Sequence, residues 1–355
     1  MKSYTAIGVM SGSSLDGLDL CLCSFTHNSG QWAFKILRAE TIPYTTAWKL
    51  RLSEAQHISA HDYALLDFEF GRFIGSQVKR FCKSYPGSID LIASHGHTIF
   101  HQPASGFTSQ VGNGAAVAAT ARIQTVSDFR SMDIVVGGQG APLVPMGDEF
   151  LFPGYSFCLN LGGFSNISYL FKKKRVAFDI CPVNTILNDQ AGILGQEYDK
   201  GGMLGRSGKE IKTLLQRLNA LPYYSQKPPK SLGREWISSC ILPLLQEHRG
   251  ETQDVLFTLY QHISDQISCV LNQVGKTKKK VLLTGGGAHN SFLVELLAGK
   301  TRHELILPPA EIINYKEALI FAFLGVLRVR LQANCLSSVT GAGYDSSSGA
   351  LYHIL

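Results

Sequence analysis

Apolar and polar positions alternate with period two over residues 5–10 and again over 18–25, with a Ser/Gly turn between the two runs. That pattern predicts a β-hairpin. The segment "WAFKILRAETIPY" continues as a third strand, and a helical periodicity spans roughly 46–84. "IDLIASHGHTIF" reads as a buried strand running into a glycine turn, "GNGAAVAATAR" as a helix of small residues, and "IQTVSDF" as a strand. After the turn-rich "GGQGAPLVP" the pattern begins afresh. "YSFCLNLGGFSNISYLF" repeats the strand, glycine turn and strand of the opening, and "RVAFDICPVN" is a further strand that carries an acid. Helical stretches follow around 184–195, 206–218, 233–247 and 252–274. "KKVLLTGGGAHNSFLVELL" is strand, triple-glycine turn and helix, and "NYKEALIFAFLGVLRVRLQ" is a strongly apolar helix.

Strands alternating with helices predict an α/β fold with parallel pairing. Three glycine turns, at 8–17, 162–166 and 285–290, are each launched from a short apolar strand. Their recurrence is the trace that a duplicated α/β domain would leave. A chain of 355 residues also exceeds one typical domain. We therefore expect an N-terminal domain over 1–125 and a C-terminal domain over 126–335, with the segment 335–355 returning to the first.

Composition changes the picture little. With 45% hydrophobic and 17% charged residues the chain reads as a soluble globular protein. The formal charge of +6 comes partly from Lys172–Arg175 and Lys276–Lys280. These runs lack the interleaved aromatics of a nucleic-acid surface, and a modest positive excess suits anionic substrates. Eight cysteines without a CxxC pair predict reduced, mostly buried thiols in a cytoplasmic protein. No apolar run approaches the roughly 18 residues of a membrane span, and the N-terminus lacks a signal-peptide core.

The chemistry is concentrated in the turns. In "SGSSLDG", Gly12 lets backbone amides approach a phosphate, and Ser11, Ser13 and Ser14 add hydroxyls. Asp16 there could hold Mg²⁺ through its waters. A plain hairpin with an Asp-Gly turn accounts for the same residues. "LLTGGGAHN" delivers Gly285, Gly286 and Gly287 to a helix start, which suits a nucleotide. GxxxxGK[ST] and GxGxxG are both absent, which removes Walker-type ATPases and Rossmann dehydrogenases. Asp179 lies on an apolar strand, where it could act as general base, bind a metal or merely cap the following helix. His95, His97 and His101 have no acid or cysteine nearby to complete a zinc set. Arg130 could pair bidentately with an anionic substrate group, or with a neighbouring acid.

Three glycine turns spread over both halves, with an acid between them, describe a nucleotide cleft between two related domains. That arrangement resembles the actin, sugar-kinase and heat-shock ATPase superfamily, of ribonuclease H-like type. The stretches "GVMSGSSLDGLDL", "SHGHT", "DFRSMDIVVGGQGAPLVP", "LNLGGFSNIS", "FDICPVN", "TGGGAHN", "KEALIFAFL" and "SVTGA" further resemble the anhydro-N-acetylmuramic acid kinase family, in order from residue 7 to 342. The resemblance implies an ATP- and Mg²⁺-dependent kinase of cell-wall recycling that opens a 1,6-anhydro amino sugar with water and phosphorylates O6. By similarity, Asp179 is the general base. Gly12, Ser13, Ser14, Asp16, Gly17, Asp19, Gly162, Gly163, Asn166, Gly285, Gly286, Gly287 and Asn290 serve the nucleotide, with Asp16 near the metal. His95, His97, Thr98, Arg130 and Glu317 serve the sugar.

The sequence departs from the family pattern in two places. The first turn reads SGSS where SGTS is usual, which keeps the hydroxyl. FDICPVN stands where FDTGPGN is common, putting Cys181 and Val183 in place of glycines. If those positions need positive φ, Val183 is strained, and the loop beside the sugar is altered. This motivates one alternative, a kinase for another anhydrosugar such as levoglucosan. A second, of a different class, is a nucleotide-dependent switch protein. Whether the chain forms a homodimer is open at this level.

Overall fold

The computed structural model describes residues 2–12, 14–248 and 250–354. In chain order, the first part holds β1 (Lys2–Ser11), β2 (Gly17–Asn28), β3 (Gln31–Pro43), α1 (Ala60–Cys82), β4 (Leu91–Gln102), β5 (Phe107–Val111), α2 (Gly114–Ala121) and β6 (Thr125–Ser127). The second holds β7 (Phe157–Leu161), β8 (Phe164–Phe171), β9 (Lys174–Pro182), α3 (Asn184–Ile193), α4 (Thr252–Val274), β10 (Lys280–Thr284), α5 (Ser291–Lys300) and β11 (Glu304–Ile306). The chain closes with α6 (Ala310–Val329) and β12 (Ala350–Tyr352).

Both sheets repeat one topology. The first runs β12-β6-β4-β1-β2-β3 with β5 added to β4, and the second β11-β10-β7-β8-β9. In each, three consecutive antiparallel strands (β1–β3, β7–β9) are extended from the first of them by two parallel strands (β4 and β6, β10 and β11). This is the duplicated α/β arrangement that the recurring glycine turns predict, of the ribonuclease H-like type that the superfamily resemblance implies. The parallel strands point their carboxyl ends toward the turns, where α/β sheets place ligands.

The chain divides into Met1–Pro153 with Tyr315–Leu355, and Gly154–Asn314. The division lies later than the expected 125/126, and the last long helix goes to the first unit rather than the second. Packing explains both. The helix Val144–Leu151 is held in the first unit by Asp148, whose carboxylate pairs with Lys316 on α6 at 2.6 Å. Gly147 lies against Ile320, and Phe152 packs edge-on to Phe34 of β3. α6 in turn seats directly on β1, since a β-carbon at Gly8 would lie 1.7 Å from the Ala318 oxygen. Only glycine permits that approach.

Each unit has its own core. In the first, β1, β2 and β4 pack on α1 and α2 through residues such as Ile7, Leu20, Phe70, Ile74, Ile92 and Val117. In the second, Leu159, Ile167, Phe178 and Leu283 pack on α3 and α4. Of the eight cysteines, all free, five are buried and Cys269 is exposed.

Candidate active site

In the first unit the β1–β2 turn closes through Leu15 N–H to Gly12 O at 3.3 Å, leaving Ser14 and Asp16 exposed. Ser13 lies outside the described residues. Ser11 does not face the turn's exterior as expected. Its hydroxyl is buried, accepts from Tyr44 OH at 2.6 Å and meets His97 Nδ1 at 2.8 Å. Among the described residues Tyr44 has no other acceptor, so Ser11 donates onward to a neutral His97. Burial lowers His97 to about 4, which agrees. His97 thus anchors the end of β1.

Asp19, two residues beyond Gly17, accepts from Thr41 Oγ1 at 2.6 Å. Burial raises its pKa and the nearby Asp16 adds to this, against the Thr41 bond. Glu317 on α6 is raised first by desolvation and then by Asp19, while Arg130 works to lower it. Its side chain still reaches solvent. The two carboxylates therefore share one electrostatic field.

Arg130 is fixed by two bonds. Nε donates to His95 Nε2 at 2.9 Å and Nη1 to Gly140 O at 2.9 Å. His95 must then carry its proton on Nδ1, which bonds Gly96 O at 2.9 Å. Burial and the guanidinium both hold His95 well below its usual range, hence neutral. The "GGQGA" motif serves this arginine directly, through the Gly140 carbonyl. Buried Asp133 accepts from Gly140 N–H at 2.7 Å and from Thr340 Oγ1 at 2.7 Å, tying the loop to the "SVTGA" segment. Thr98, three residues after His95 on β4, accepts from Gln110 Nε2 at 3.4 Å.

In the second unit the two glycine turns come together at the end of β7. Asn184 donates through its backbone to Gly162 O at 3.1 Å and through its side chain to Leu161 O at 3.1 Å. Gly163 O accepts from Val183 and Thr185. A planar trans peptide points N–H opposite to C=O, so the Gly163 amide is directed away from α3. Gly285 has φ +81°, and a β-carbon there would lie 2.6 Å from Asn160 Oδ1. Gly287 abuts Leu161 equally closely, whereas Gly286 is exposed. The turns thus form a side-chain-free surface that fits phosphate oxygens. Asn290 plays a different part: Oδ1 caps α5 at Leu293 N–H, and Nδ2 donates to Tyr260 OH at 2.7 Å.

Asp179 sits beside a β-bulge. Ser165 pairs with Cys181 and Asn166 with Asp179, so Ile180 is the extra residue. Thr284, Asn160, Asn166 and Asp179 consequently form one polar row across four strands. The Leu232 amide donates to Asp179 Oδ2 at 2.9 Å, and among the described residues no hydrogen bond occupies Oδ1. Desolvation raises the Asp179 pKa, against the lowering effect of that amide.

Of the two departures from the family pattern, Ser13 lies outside the described residues, and the pair in FDICPVN is turned into the core. Cys181 and Val183 are both fully buried in the second core. Val183 has φ −129°, so the position needs no left-handed backbone. Burial pushes the Cys181 thiol up to about 12, and its Sγ lies 3.3 Å from Ser165 Oγ. The motive for a different anhydrosugar is thereby removed.

Sequence reasoning missed Tyr44 and Tyr223, whose hydroxyls hold Ser11 and the Asp179 main chain. It also missed the Leu232 amide, which carries no side-chain signal at all. Among the described residues, no group of three or more His, Cys, Asp or Glu is arranged to hold a metal. Nor is any helix among them long and apolar enough to cross a membrane.

The family model for anhydro-N-acetylmuramic acid kinase matches residues 4–354. A protein of that name from Mannheimia succiniciproducens is 33% identical, covering 99% of this chain and 99% of the relative. One from Nitrosomonas europaea is 34% identical over 98% of this chain and 99% of its own length. One from Pseudomonas syringae pv. syringae is 34% identical over 98% of each. With a family match over nearly every residue, and with the glycine turns, Arg130 and Asp179 placed as described, this chain belongs to the anhydro-N-acetylmuramic acid kinase family.

Proposed function

We propose that the protein is a kinase that hydrolytically opens 1,6-anhydro-N-acetylmuramic acid and phosphorylates the freed O6, in the recycling of cell-wall sugar in the cytoplasm. The observation that carries this reading is Asp179. One carboxylate oxygen is held by the Leu232 amide, the other is open, and burial makes the group more basic than a free aspartate. A base so tuned can take a proton from water near neutral pH.

The water that loses its proton to Asp179 Oδ1 forms a bond to the anomeric carbon as the C1–O6 bond breaks. O6 is then the nucleophile for phosphoryl transfer. Arg130, fixed by His95 and Gly140, presents its remaining guanidinium N–H groups to the substrate carboxylate. Bound ATP supplies the phosphoryl group, and Mg²⁺ neutralises phosphate charge when present. Asp16 fits such an ion: it is exposed, and a single carboxylate suits a magnesium ion that retains most of its water. The amides of the turns at Gly12 and at Gly162–Gly163, with the bare surface of Gly285–Gly287, would hold the nucleotide. Incubation with ATP, Mg²⁺ and the anhydro sugar tests the reading by mass spectrometry of the product. The expected mass gain is one water plus one phosphoryl group; recovery of the unchanged sugar beside intact ATP would overturn it.

A further inference from the structure

His262, fully buried on α4, takes no part in the chemistry above. Both of its ring nitrogens are nonetheless engaged, Nδ1 with Asn219 Oδ1 at 2.6 Å and Nε2 with Tyr224 OH at 2.8 Å. The far end of this chain of bonds fixes the position of the ring proton. Lys300 donates to Asp265 Oδ1 at 2.6 Å, and Asp265 Oδ2 accepts from Asn219 Nδ2 at 3.2 Å. A carboxylate only accepts, so the Asn219 amide turns its nitrogen to Asp265 and its oxygen to His262. Gln266 Nε2 donates to that same oxygen at 2.9 Å, which agrees. His262, Asp265 and Gln266 recur at helical spacing and share one face of α4. Nδ1 of His262 therefore carries the hydrogen. Burial holds the ring well below its usual pKa, at about 3, so it is neutral and Nε2 accepts from the Tyr224 hydroxyl.

Tyr224 adjoins Tyr223, whose hydroxyl donates to the Asp179 main-chain oxygen at 2.7 Å. Both belong to the short 3-10 turn Pro222–Ser225, closed by Tyr224 N–H to Leu221 O and by Gln226 N–H to Tyr223 O, each at 3.1 Å. Their rings stand 85° apart, so Tyr223 reaches β9 while Tyr224 reaches α4. The bonds to Asp179 from Lys230 O and Leu232 N–H come from the same loop. Among the described residues, Tyr224 to His262 is the side-chain hydrogen bond that ties this loop to an element other than β9. Without it the loop would be free to move with the strand it holds.

An apolar side chain at 262 would fill this core at less cost, because a buried imidazole needs both nitrogens satisfied. What the imidazole adds is an acceptor for Tyr224 inside the core. We propose that His262 is a positioning residue: through Tyr224 it fixes the turn from which Tyr223, and the loop up to Leu232, orient the Asp179 carboxylate. The assignment rests on the kinase reading above and concerns the rate of the step rather than substrate binding.

Steady-state kinetics of the full chain with ATP, Mg²⁺ and 1,6-anhydro-N-acetylmuramic acid tests it. Tyr224→Phe removes the hydroxyl alone and should lower kcat about tenfold, with both KM values within about twofold. His262→Asn places an amide nitrogen where Nδ1 lies, keeps Asn219 and is too short to reach Tyr224, so it should show the same loss. His262→Gln carries an amide oxygen out to the Nε2 position and should restore kcat to within about threefold of the parent. Because the relay acts through Tyr223, Tyr224→Phe should cost less than about twofold more in a Tyr223→Phe background. Lower melting temperatures with kcat unmoved, equal losses for asparagine and glutamine at 262, or losses at 223 and 224 that multiply would each overturn the proposal. If His262→Asn does not fold, Tyr224→Phe and the double variant decide the matter. Absence of turnover by the unaltered chain would instead overturn the kinase reading itself.

Discussion

Tyr223 donates its hydroxyl proton to the main-chain oxygen of Asp179 at 2.7 Å, from 44 positions along the chain. The same segment accepts from the Asp179 amide at Lys230 O and donates to its carboxylate from Leu232 N–H. Three bonds thus hold the acid from one loop, and Lys230 closes the loop by donating to Tyr223 O at 3.1 Å. The arrangement orients Oδ1 without occupying it.

Tyr223→Phe keeps the ring packing against Trp236 and removes only the hydroxyl. Loss of one positioning bond should lower kcat about tenfold while both KM values stay within about twofold. Steady-state kinetics separates the two quantities. A rise in KM with unchanged kcat would show that Tyr223 shapes binding rather than the base.

Asp179→Asn keeps an oxygen for the Leu232 amide and removes the base, so sugar phosphorylation should fall by about a thousandfold or more. Nucleotide affinity, measured by calorimetry, should hardly change. Because the native carboxyl is raised above its ordinary value of 3.8, Asp179 binds its proton more readily when folded. Its favourable contribution to stability is present only in acid and is lost as pH rises through the native pKa. At neutral pH the variant should melt no lower than the parent. For the same reason the acid limb of the parent's rate profile should lie above pH 3.8. A thermal melt and a pH series check both signs.

The sequence makes the repeated frame legible because each strand-turn-strand carries its own alternating pattern and its own glycines. The β1–β2 and β7–β8 hairpins are visible for that reason, and so is the acid on β9. What it hides is pairing across long separations. Nothing local marks Tyr44 as the donor to Ser11, or Leu232 as the donor to Asp179. The boundary after Pro153 is hidden likewise, since it depends on Lys316 meeting Asp148 from the far end of the chain. Ser94 is invisible for another reason: a serine within "LIASHGH" reads as a small core residue, yet among the described residues nothing pairs with its buried hydroxyl.

Arg130→Lys keeps the charge but not the fork that serves His95 and Gly140 at once. A lysine ammonium is a point charge on a flexible stem and loses that pre-organisation. The KM for the sugar should rise roughly ten- to a hundredfold, with the KM for ATP unchanged. Steady-state titration of each substrate in turn tests this. An equal rise in the KM for ATP would remove Arg130 from specific sugar recognition.

His97 gives the final test, one of stability against pH. Its native pKa of about 4 lies below the ordinary 6.5 because burial disfavours the imidazolium. As pH falls from 6.5 toward 4 the unfolded chain takes up this proton and the folded one does not. The stability contributed by neutral His97 is therefore intact above about pH 6.5 and is lost progressively down to about pH 4. The gap corresponds to an order of 3 kcal/mol. Buried His262, lowered to about 3, acts in the same direction, so the parent's acid loss is a sum. His97→Gln retains an acceptor for Ser11 and removes one titrating group. Urea unfolding at pH 7, 5.5 and 4 should show a smaller loss for the variant than for the parent, by about 1–3 kcal/mol. Parallel losses would show that His97 titrates alike in both states, and that its bond to Ser11 does not depend on a neutral ring.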